Sequence, residues 1–134
     1  EIYPAHKEHF TVNYNKFIVE IDSLDAEIRS ILTSSGAKAF LIYHPALGYF
    51  ARDFGVTQMS IEAEGKSPSA KGMLNVINKS KELGIKAVLS QSQFDTHNSQ
   101  AIATEIGGVV VKVDPLAENW AQSMLQIANA IAGK

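Results

Sequence analysis

The sequence predicts an α/β fold, with a four-stranded parallel sheet, helices on both faces, and a long linker helix before the first strand. Two observations support this prediction. After residue 36, short apolar runs of strand type alternate with longer helical segments, as is typical of parallel strands joined by right-handed crossovers. Before residue 36, one apolar stripe repeats with the period of an α-helix.

The composition limits the class of protein. The 134 residues are 46% hydrophobic and 19% charged, which suits a single globular domain. The net charge is -2 and the basic residues are scattered, so we expect no nucleic-acid partner and no polybasic membrane surface. No apolar run approaches the ~20 residues of a membrane span. Because the sequence contains no cysteine, any metal must bind imidazole, carboxylate or water.

The first element is a helix predicted over residues 5 to 34 and ended by Gly36. Its apolar face has spacings of four and three, at Phe10, Tyr14, Phe17, Ile21, Leu24, Ile28 and Ile31. Such a helix measures roughly 40 Å, whereas a domain of this size has a radius of gyration of about 14 Å. We therefore expect part of the stripe to pack on another domain or a second copy of the chain, with a coiled coil as the alternative. Since the chain begins at Glu1 without methionine, we expect it to come from a longer protein.

The first strand is predicted at residues 39 to 43, and His44 follows it directly. Pro45 fits the first turn of the next helix, which makes His44 the predicted N-cap of a helix that ends at Gly55. Ligands bind open α/β sheets at the carboxyl ends of the strands, so His44 is a candidate metal ligand. By position alone, a capping or surface role remains the alternative.

The remaining elements alternate between strands and helices. Strands are predicted at residues 57 to 63, 85 to 90 and 109 to 113. Helices are predicted from Ser67 and Pro68 to residue 83, at residues 94 to 106, and at residues 116 to 132. The residues predicted to face inward are Met73, Leu74 and Ile77 on the first of these helices and Trp120, Met124, Ile127 and Ile131 on the last.

Two more polar features leave the predicted sheet at the same edge as His44. They are the turn at residues 91 to 93 and Asp114, which a proline follows just as one follows His44. Asp114 is a second candidate metal ligand, and a carboxylate that caps backbone N–H groups is the alternative. One imidazole and one carboxylate are too few for a closed zinc site of about four ligands. The other ligands would therefore come from elsewhere.

Other candidate sites are weaker. His6 and His9 lie one helical turn apart and could chelate a metal, but a solvated pair is the simpler interpretation. His97 is interpreted as a surface residue. Residues 65 to 67 imitate the end of a phosphate-binding loop, but Ser60 stands where its first glycine belongs. The sequence contains no dinucleotide motif, nucleophile elbow or thiol nucleophile, so we expect a protein that is not an enzyme.

Several segments match one family in order: residues 43 to 50, 54 to 56, 68 to 69, 91 to 94 and 113 to 116. Together they resemble the C-terminal lobe of the zinc and manganese solute-binding proteins of bacterial ABC transporters. In that family a His-x-Ala-x-x-Tyr-Phe segment, a Glu-Pro-Ser helix start, a Glu-Pro-Gln-Phe turn and an Asp-Pro-Leu junction occur in this order. The opening helix likewise resembles the family's long helix between two lobes.

The resemblance implies the organisation and function of the chain. Residues 1 to 35 would form the inter-lobe linker helix, whose partner lobe is absent here, and residues 36 to 134 the C-terminal α/β metal-binding lobe. The intact protein would be the substrate-binding component of an ABC uptake transporter. It would capture an ion, foremost Zn²⁺, between its two lobes and deliver it to the membrane permease. The expected location is periplasmic or otherwise extracytoplasmic, either free or lipid-anchored.

The resemblance also implies the metal ligands. In the family, two histidines usually come from the N-terminal lobe and a third from the position of His44, while the fourth ligand is a carboxylate or water. His44 and, less strongly, Asp114 are therefore the expected metal ligands, with Glu118 as a fallback carboxylate. Histidine rather than glutamate at position 44 favours Zn²⁺ over Mn²⁺ or Fe²⁺.

The chain departs from the family pattern at three positions. Gln91 and Ser92 replace the usual Glu-Pro, and Lys66 replaces a glutamate at the helix start. A manganese- or iron-binding member of the same family remains an alternative. A flavodoxin-like or nucleotide-binding enzyme domain is another. The third is a metal-independent adhesive or structural module that uses the stripe of the first helix as its interface.

Overall fold

The computed structural model describes residues 2–62, 65–91 and 97–134. A short 3-10 turn, Pro4–His6, precedes the regular elements, which confirm the predicted α/β class. In chain order they are α1 (Lys7–Ser35), β1 (Ala39–Ile42), α2 (Gly48–Phe54), β2 (Thr57–Ser60), α3 (Ala70–Glu82), β3 (Ala87–Gln91), α4 (His97–Ile106), β4 (Val109–Val113) and α5 (Trp120–Ile131). None of the helices in the described ranges is long and apolar enough to cross a membrane.

The four strands form one parallel sheet in the order β2-β1-β3-β4. The pairing of β1 with β2 runs from Ala39 opposite Thr57 to Ile42 opposite Ser60. The chain passes outward from β1 to β2 and then crosses back to β3, so its winding direction changes between β1 and β3. Ligands bind open α/β sheets beside the carboxyl ends of the strands at such a change. The topology therefore places the expected site where β1 and β3 end.

Helices cover both faces of the sheet. On one face α1, α2 and α5 pack on the strands in a cluster that includes Ile28, Phe40 and Ile127. On the other face α3 and α4 pack on the strands in a cluster that includes Leu41 and Ile102. Successive residues of β1 thus point into opposite layers, and all of them are buried. This explains why the strand is a continuous apolar run rather than an alternating one.

The long helix α1 is buried only in its second half. Its buried residues are Leu24, Ile28 and Leu32. Phe10, Tyr14 and Phe17, at the start of the predicted stripe, are 54%, 63% and 47% exposed. The Phe17 ring meets the Trp120 ring of α5 edge to face, at 5.8 Å between centroids. Most of the first half of α1 therefore presents apolar side chains to solvent in this chain.

Helix α2 begins later than predicted, so the prediction that His44 is its N-cap was wrong. The helix starts at Gly48 and its N-cap is Leu47, so His44 is not the cap and Pro45 is not in the first turn. The intervening loop is held by hydrogen bonds that a helix would not make. The Ala46 N–H donates to the His44 carbonyl at 2.8 Å, and the Leu47 N–H donates to the Gln58 side chain on β2 at 2.8 Å.

Helices α3 and α5 also begin later than predicted. The cap of α3 is Ser69 rather than Ser67, since the Ser69 hydroxyl accepts the Gly72 N–H at 3.1 Å. The cap of α5 is Asn119, whose side chain accepts the Gln122 N–H at 3.3 Å. Prolines in the two preceding loops suggested that the helices start earlier. Each helix instead begins directly after the residue whose side chain caps it, Ser69 for α3 and Asn119 for α5.

The strands and inward faces agree with the prediction in part. β4 spans the predicted residues, whereas β1 ends at Ile42 rather than at residue 43 and β2 ends at Ser60 rather than at residue 63. β3 runs from Ala87 to Gln91, so it begins two residues later than predicted and ends one residue later. Leu74 is 60% exposed and Trp120 is 39% exposed, so the prediction that they face inward was wrong for Leu74 and only partly right for Trp120. On α3 the inward positions are Met73, Ile77 and Ser80, one helical turn apart. The predicted residues 63, 92 to 93 and 94 to 96 lie outside the described residues.

Candidate metal centre

His44 lies directly after β1, at the carboxyl edge of the sheet, where its backbone is held by Gln91. The Gln91 Nε2 atom donates to the His44 carbonyl at 2.9 Å, and the His44 N–H donates to the Gln91 Oε1 atom at 3.4 Å. Gln91 is the last residue of β3 and is only 3% exposed. Beyond the end of β1, the Gln91 side-chain amide therefore makes the hydrogen bonds to the His44 backbone that a neighbouring strand would otherwise make. The backbone of His44 is thereby anchored beside the change in winding direction.

The imidazole ring of His44 pairs with a carboxylate. Its Nδ1 atom lies 3.1 Å from the Oε2 atom of Glu62. The two side chains differ in exposure, at 43% for His44 and 9% for Glu62. The carboxylate therefore lies inside the protein and the imidazole lies toward the solvent.

The pairing of β1 with β2 explains why Glu62 lies beside His44. Ile42 lies opposite Ser60 in the last pair of the two strands, and two further backbone hydrogen bonds join the chains where they bend beyond it. The Ile61 N–H donates to the Ile42 carbonyl at 2.9 Å, and the Glu62 N–H donates to the Tyr43 carbonyl at 3.0 Å. These two bonds hold Glu62 beside the segment that leads from β1 into His44, and the two side chains meet there.

Sequence analysis did not assign a role to Glu62. The residue fell within the predicted strand at 57 to 63, and its contact with His44 depends on the strand register. One signal was available in the sequence. A carboxylate at the end of an otherwise uncharged strand is seldom buried without a hydrogen-bonding or charged partner.

Asp114 follows β4 at the same edge of the sheet, and its observed contacts are local. Its Oδ1 atom accepts the Leu116 N–H at 3.0 Å, and its carbonyl accepts the hydroxyl of Ser123 at 2.5 Å. The carboxylate thus closes its own turn rather than capping α5. Glu118, the fallback carboxylate, is exposed in the same connection.

The structure brings together only part of the predicted constellation. It places Gln91 in hydrogen-bonding contact with His44, and it brings Glu62, which was not predicted, to the imidazole of His44. Among residues 2–62, 65–91 and 97–134, no group of three or more histidine, aspartate or glutamate side chains is arranged so that it could hold a metal ion. Ser92 and Gln93 of the predicted turn lie outside these ranges. The described residues therefore do not assemble the set of about four ligands that a zinc site requires.

The other histidines lie on the surface. His6 and His9 are exposed at the start of the long helix, and the His9 Nε2 atom lies 3.1 Å from the Asn13 amide nitrogen. This exposure agrees with a solvated pair. His97, the first residue of α4, is also exposed, as predicted.

By its fold, the chain is a parallel α/β lobe preceded by a long lateral helix, an arrangement that is present in solved structures of ZnuA. A crystal structure of ZnuA superposes with a TM-score of 0.91 at 36% identity, and the match covers 98% of this chain and 52% of that chain. A ZnuA deletion mutant with zinc bound superposes with a TM-score of 0.87, also at 36% identity, covering 98% and 51%. The chain therefore corresponds to about half of each structure.

The family model described as zinc-uptake complex component A, periplasmic, matches residues 1–133. The chain belongs to this family.

Two curated relatives carry descriptions that refer to zinc. The zinc-binding protein AdcA of Streptococcus pyogenes is 29% identical over 116 residues, which are 85% of this chain and 22% of AdcA. The high-affinity zinc uptake system protein ZnuA of Bacillus subtilis is 26% identical over 106 residues, which are 78% of this chain and 33% of that protein. This chain therefore spans well under half the length of either relative.

Proposed function

We propose that this chain is part of the substrate-binding component of a zinc ABC uptake transporter. Residues 36–134 form its C-terminal lobe and residues 1–35 its inter-lobe helix. The intact protein captures Zn²⁺ between two lobes outside the cytoplasmic membrane and delivers it to the membrane permease. The main support is the His44 side chain, which is 43% exposed at the edge where the winding direction of the sheet changes.

The proposed ligands are His44 and Asp114. His44 supplies an imidazole nitrogen, which zinc binds well. Asp114 uses one carboxylate oxygen to accept the Leu116 N–H, and a carboxylate has further lone pairs available for a metal. Glu118 is the fallback for Asp114. The remaining ligands come from the N-terminal lobe, so we expect this chain alone to bind zinc weakly.

The exposed half of α1 supports the proposed partner lobe. Phe10, Tyr14 and Phe17 leave apolar area on a regular helix that this chain covers only in part. Monomeric proteins seldom expose contiguous apolar patches of this kind without a binding role. Because the chain spans about half of the matching ZnuA structures, we assign this surface to the N-terminal lobe of the same protein.

The alternatives are less well supported. Imidazole at position 44 favours zinc over manganese or iron, which accept more oxygen ligands. Membership of the zinc-uptake family favours a binding component over a nucleotide-binding enzyme domain. The zinc-binding descriptions of the relatives likewise favour metal binding over a metal-independent adhesive module.

The test of this proposal is zinc affinity in the full-length protein, measured by competition with a chromophoric chelator. Even outer-shell partners of zinc ligands contribute 10- to 100-fold in affinity, so we expect His44→Ala to weaken binding by more than about 100-fold. His9→Ala is the matched control, because His9 is exposed and its Nε2 atom lies 3.1 Å from the Asn13 amide nitrogen within α1, away from the edge of the sheet. Unchanged affinity in His44→Ala would remove His44 from the site, and a loss in His9→Ala would favour the chelating pair instead.

The same titration separates the two carboxylates. We expect Asp114→Ala to weaken zinc binding and Glu118→Ala to leave it unchanged. The reverse result would make Glu118 the ligand. Wild-type affinity in both variants would assign the fourth position to water or to the N-terminal lobe.

A further inference from the structure

We propose that Glu62 is the positioning residue for His44. Its buried carboxylate accepts the proton on Nδ1 and thereby commits Nε2 to the metal. The inference rests on the proposed function, since it assigns an orienting partner to the zinc ligand, and it adds both Glu62 and the choice of ring nitrogen.

The burial of Glu62 is the first observation. Its side chain is 9% exposed, and a charged carboxylate in such a place is unfavourable unless it is hydrogen-bonded or paired. The described part of the chain provides no lysine or arginine ion pair to Glu62. The partner that it does provide is Nδ1 of His44, at 3.1 Å. The carboxylate is therefore directed at an imidazole rather than at a permanently charged cation.

The second observation is that both residues are anchored through their backbones. The Glu62 N–H donates to the Tyr43 carbonyl at 3.0 Å, and the His44 carbonyl accepts the Gln91 side chain at 2.9 Å. The contact between carboxylate and ring thus joins two positions that the sheet holds in place. A ligand held in this way loses little conformational freedom when it binds a metal.

The chemistry of the pair determines which nitrogen binds. A neutral imidazole carries one N–H group and one lone pair, and an ionised carboxylate can only accept a hydrogen bond. The proton therefore resides on Nδ1, and the lone pair on Nε2 faces away from Glu62. Coordination of a metal through Nδ1 would require the ring to lose its hydrogen bond to Glu62. A carboxylate on the far side of a metal-bound imidazole also raises the basicity of the ligand.

The affinity test compares Glu62→Ala with Glu62→Gln in the full-length protein, by chelator competition. We expect Glu62→Ala to weaken zinc binding by about 10- to 100-fold. Glu62→Gln should lose less, because its amide oxygen can still accept the Nδ1 proton. Glu105→Ala, at an exposed position on α4, is the matched control and should bind as the wild type does. Wild-type affinity in Glu62→Ala, with His44→Ala impaired, would overturn the inference and leave the proposed function standing.

The second readout is the tautomer of His44 in the zinc-free protein, from two-bond ¹H–¹⁵N NMR spectra assigned with His44→Ala. We expect the Nδ1–H form in the wild type and in Glu62→Gln, and its loss in Glu62→Ala. A role for Glu62 limited to stability would leave the tautomer unchanged in any folded variant. An Nε2–H form in the wild type, or an unchanged tautomer in Glu62→Ala, would overturn the inference even if zinc affinity fell.

Discussion

The Nδ1 atom of His44 lies 3.1 Å from the Oε2 atom of Glu62, across a sequence separation of 18 residues. The same separation relates every residue of β1 to its partner on β2, as with Ile42 and Ser60. The geometry of the candidate metal centre is therefore a property of the sheet. A change in how β1, β2 and β3 pair would move the imidazole and its carboxylate apart.

Gln91→Ala tests how much the anchoring of His44 contributes to stability. The substitution removes the amide that bonds to the His44 carbonyl at 2.9 Å and leaves backbone groups near a buried position without that partner. We expect the free energy of unfolding to fall by about 1–3 kcal/mol, measured by urea denaturation. Gln126→Ala is the control, because its amide also bonds to a carbonyl, that of Lys112, but from an exposed position. Equal losses of unfolding free energy in the two variants would show that the Gln91 amide stabilises the fold no more than an exposed amide does.

Gly108→Ala tests the close approach between the end of α4 and β3. A Cβ atom at Gly108 would lie 2.2 Å from the Lys86 carbonyl oxygen, and backbone cannot move aside as a flexible side chain does. The same carbonyl accepts the Val109 N–H at 2.9 Å, so relieving the clash would strain the pairing of β3 with β4. We expect a loss of about 1–3 kcal/mol or more, measured by urea denaturation.

Gly48→Ala is the matched control for that substitution. In the described part of the chain, no atom outside the adjoining residues and the helix's own backbone lies within 4 Å of a Cβ built at Gly48, which opens α2. We expect a neutral effect or a gain of up to about 1 kcal/mol, because alanine favours the helix. A Gly108→Ala variant as stable as this control would contradict the packing observed between α4 and β3.

Hydrogen exchange should divide α1 into two parts. In the 134-residue chain we expect amides before about residue 20 to exchange much faster than those near Ile28, because only the second half of the helix is buried. In the full-length protein the first half should become protected, since the proposed N-terminal lobe covers it. Uniform protection along α1 in the short chain would contradict the first expectation. Fast exchange of the first half in the full-length protein would contradict the second.

The carboxyl of Asp53 should respond to substitution of Arg52. The Arg52 side chain donates to it at 2.7 Å and lowers its pKa, with smaller contributions from the charges of Arg52 and Arg29. Because the pKa of Asp53 is lower in the folded than in the unfolded protein, its pairing with Arg52 stabilises the folded protein at pH values above the unfolded pKa. That stabilisation is lost as the pH falls through the folded pKa. We expect Arg52→Gln to raise the pKa of Asp53 toward its ordinary value, followed by ¹³C NMR titration. Arg29→Gln should raise it less, and an unchanged pKa in Arg52→Gln would contradict the pairing.

The fold was largely predictable from local patterns. The apolar run at residues 39 to 43 contains the buried strand β1, because an inner strand of a parallel sheet is covered on both faces and so is apolar throughout. The run at residues 109 to 113 forms β4, an edge strand that is buried only at Val113. Gly36 and Gly55 adopt a positive φ of 69° at the ends of α1 and α2, as their positions predicted. These features depend on residues close together in sequence.

The helix starts were predicted less well. Pro45 and Pro68 suggested first turns, but the helices begin at Gly48 and Ala70. A proline is compatible with a helix start and equally with a loop, since its φ suits both. Contacts from outside the segment made the choice, as when the Gln58 side chain of β2 accepts the Leu47 N–H.

The sequence by itself determined the α/β class, the family, the strand that ends at His44, and the length of a helix too long for one lobe. Each follows from composition, periodicity or motif order, which need no knowledge of packing. The tertiary structure alone decided that Glu62 lies behind His44, that Gln91 holds its backbone, and that Asp114 closes its own turn. The contacts of His44 with Glu62 and Gln91 join neighbouring strands, so they depend on sheet order and register, which the separate segments do not encode on their own. The turn at Asp114 is local, but the same residues were equally compatible with a cap on α5, and the start of α5 at Trp120 decided between the two.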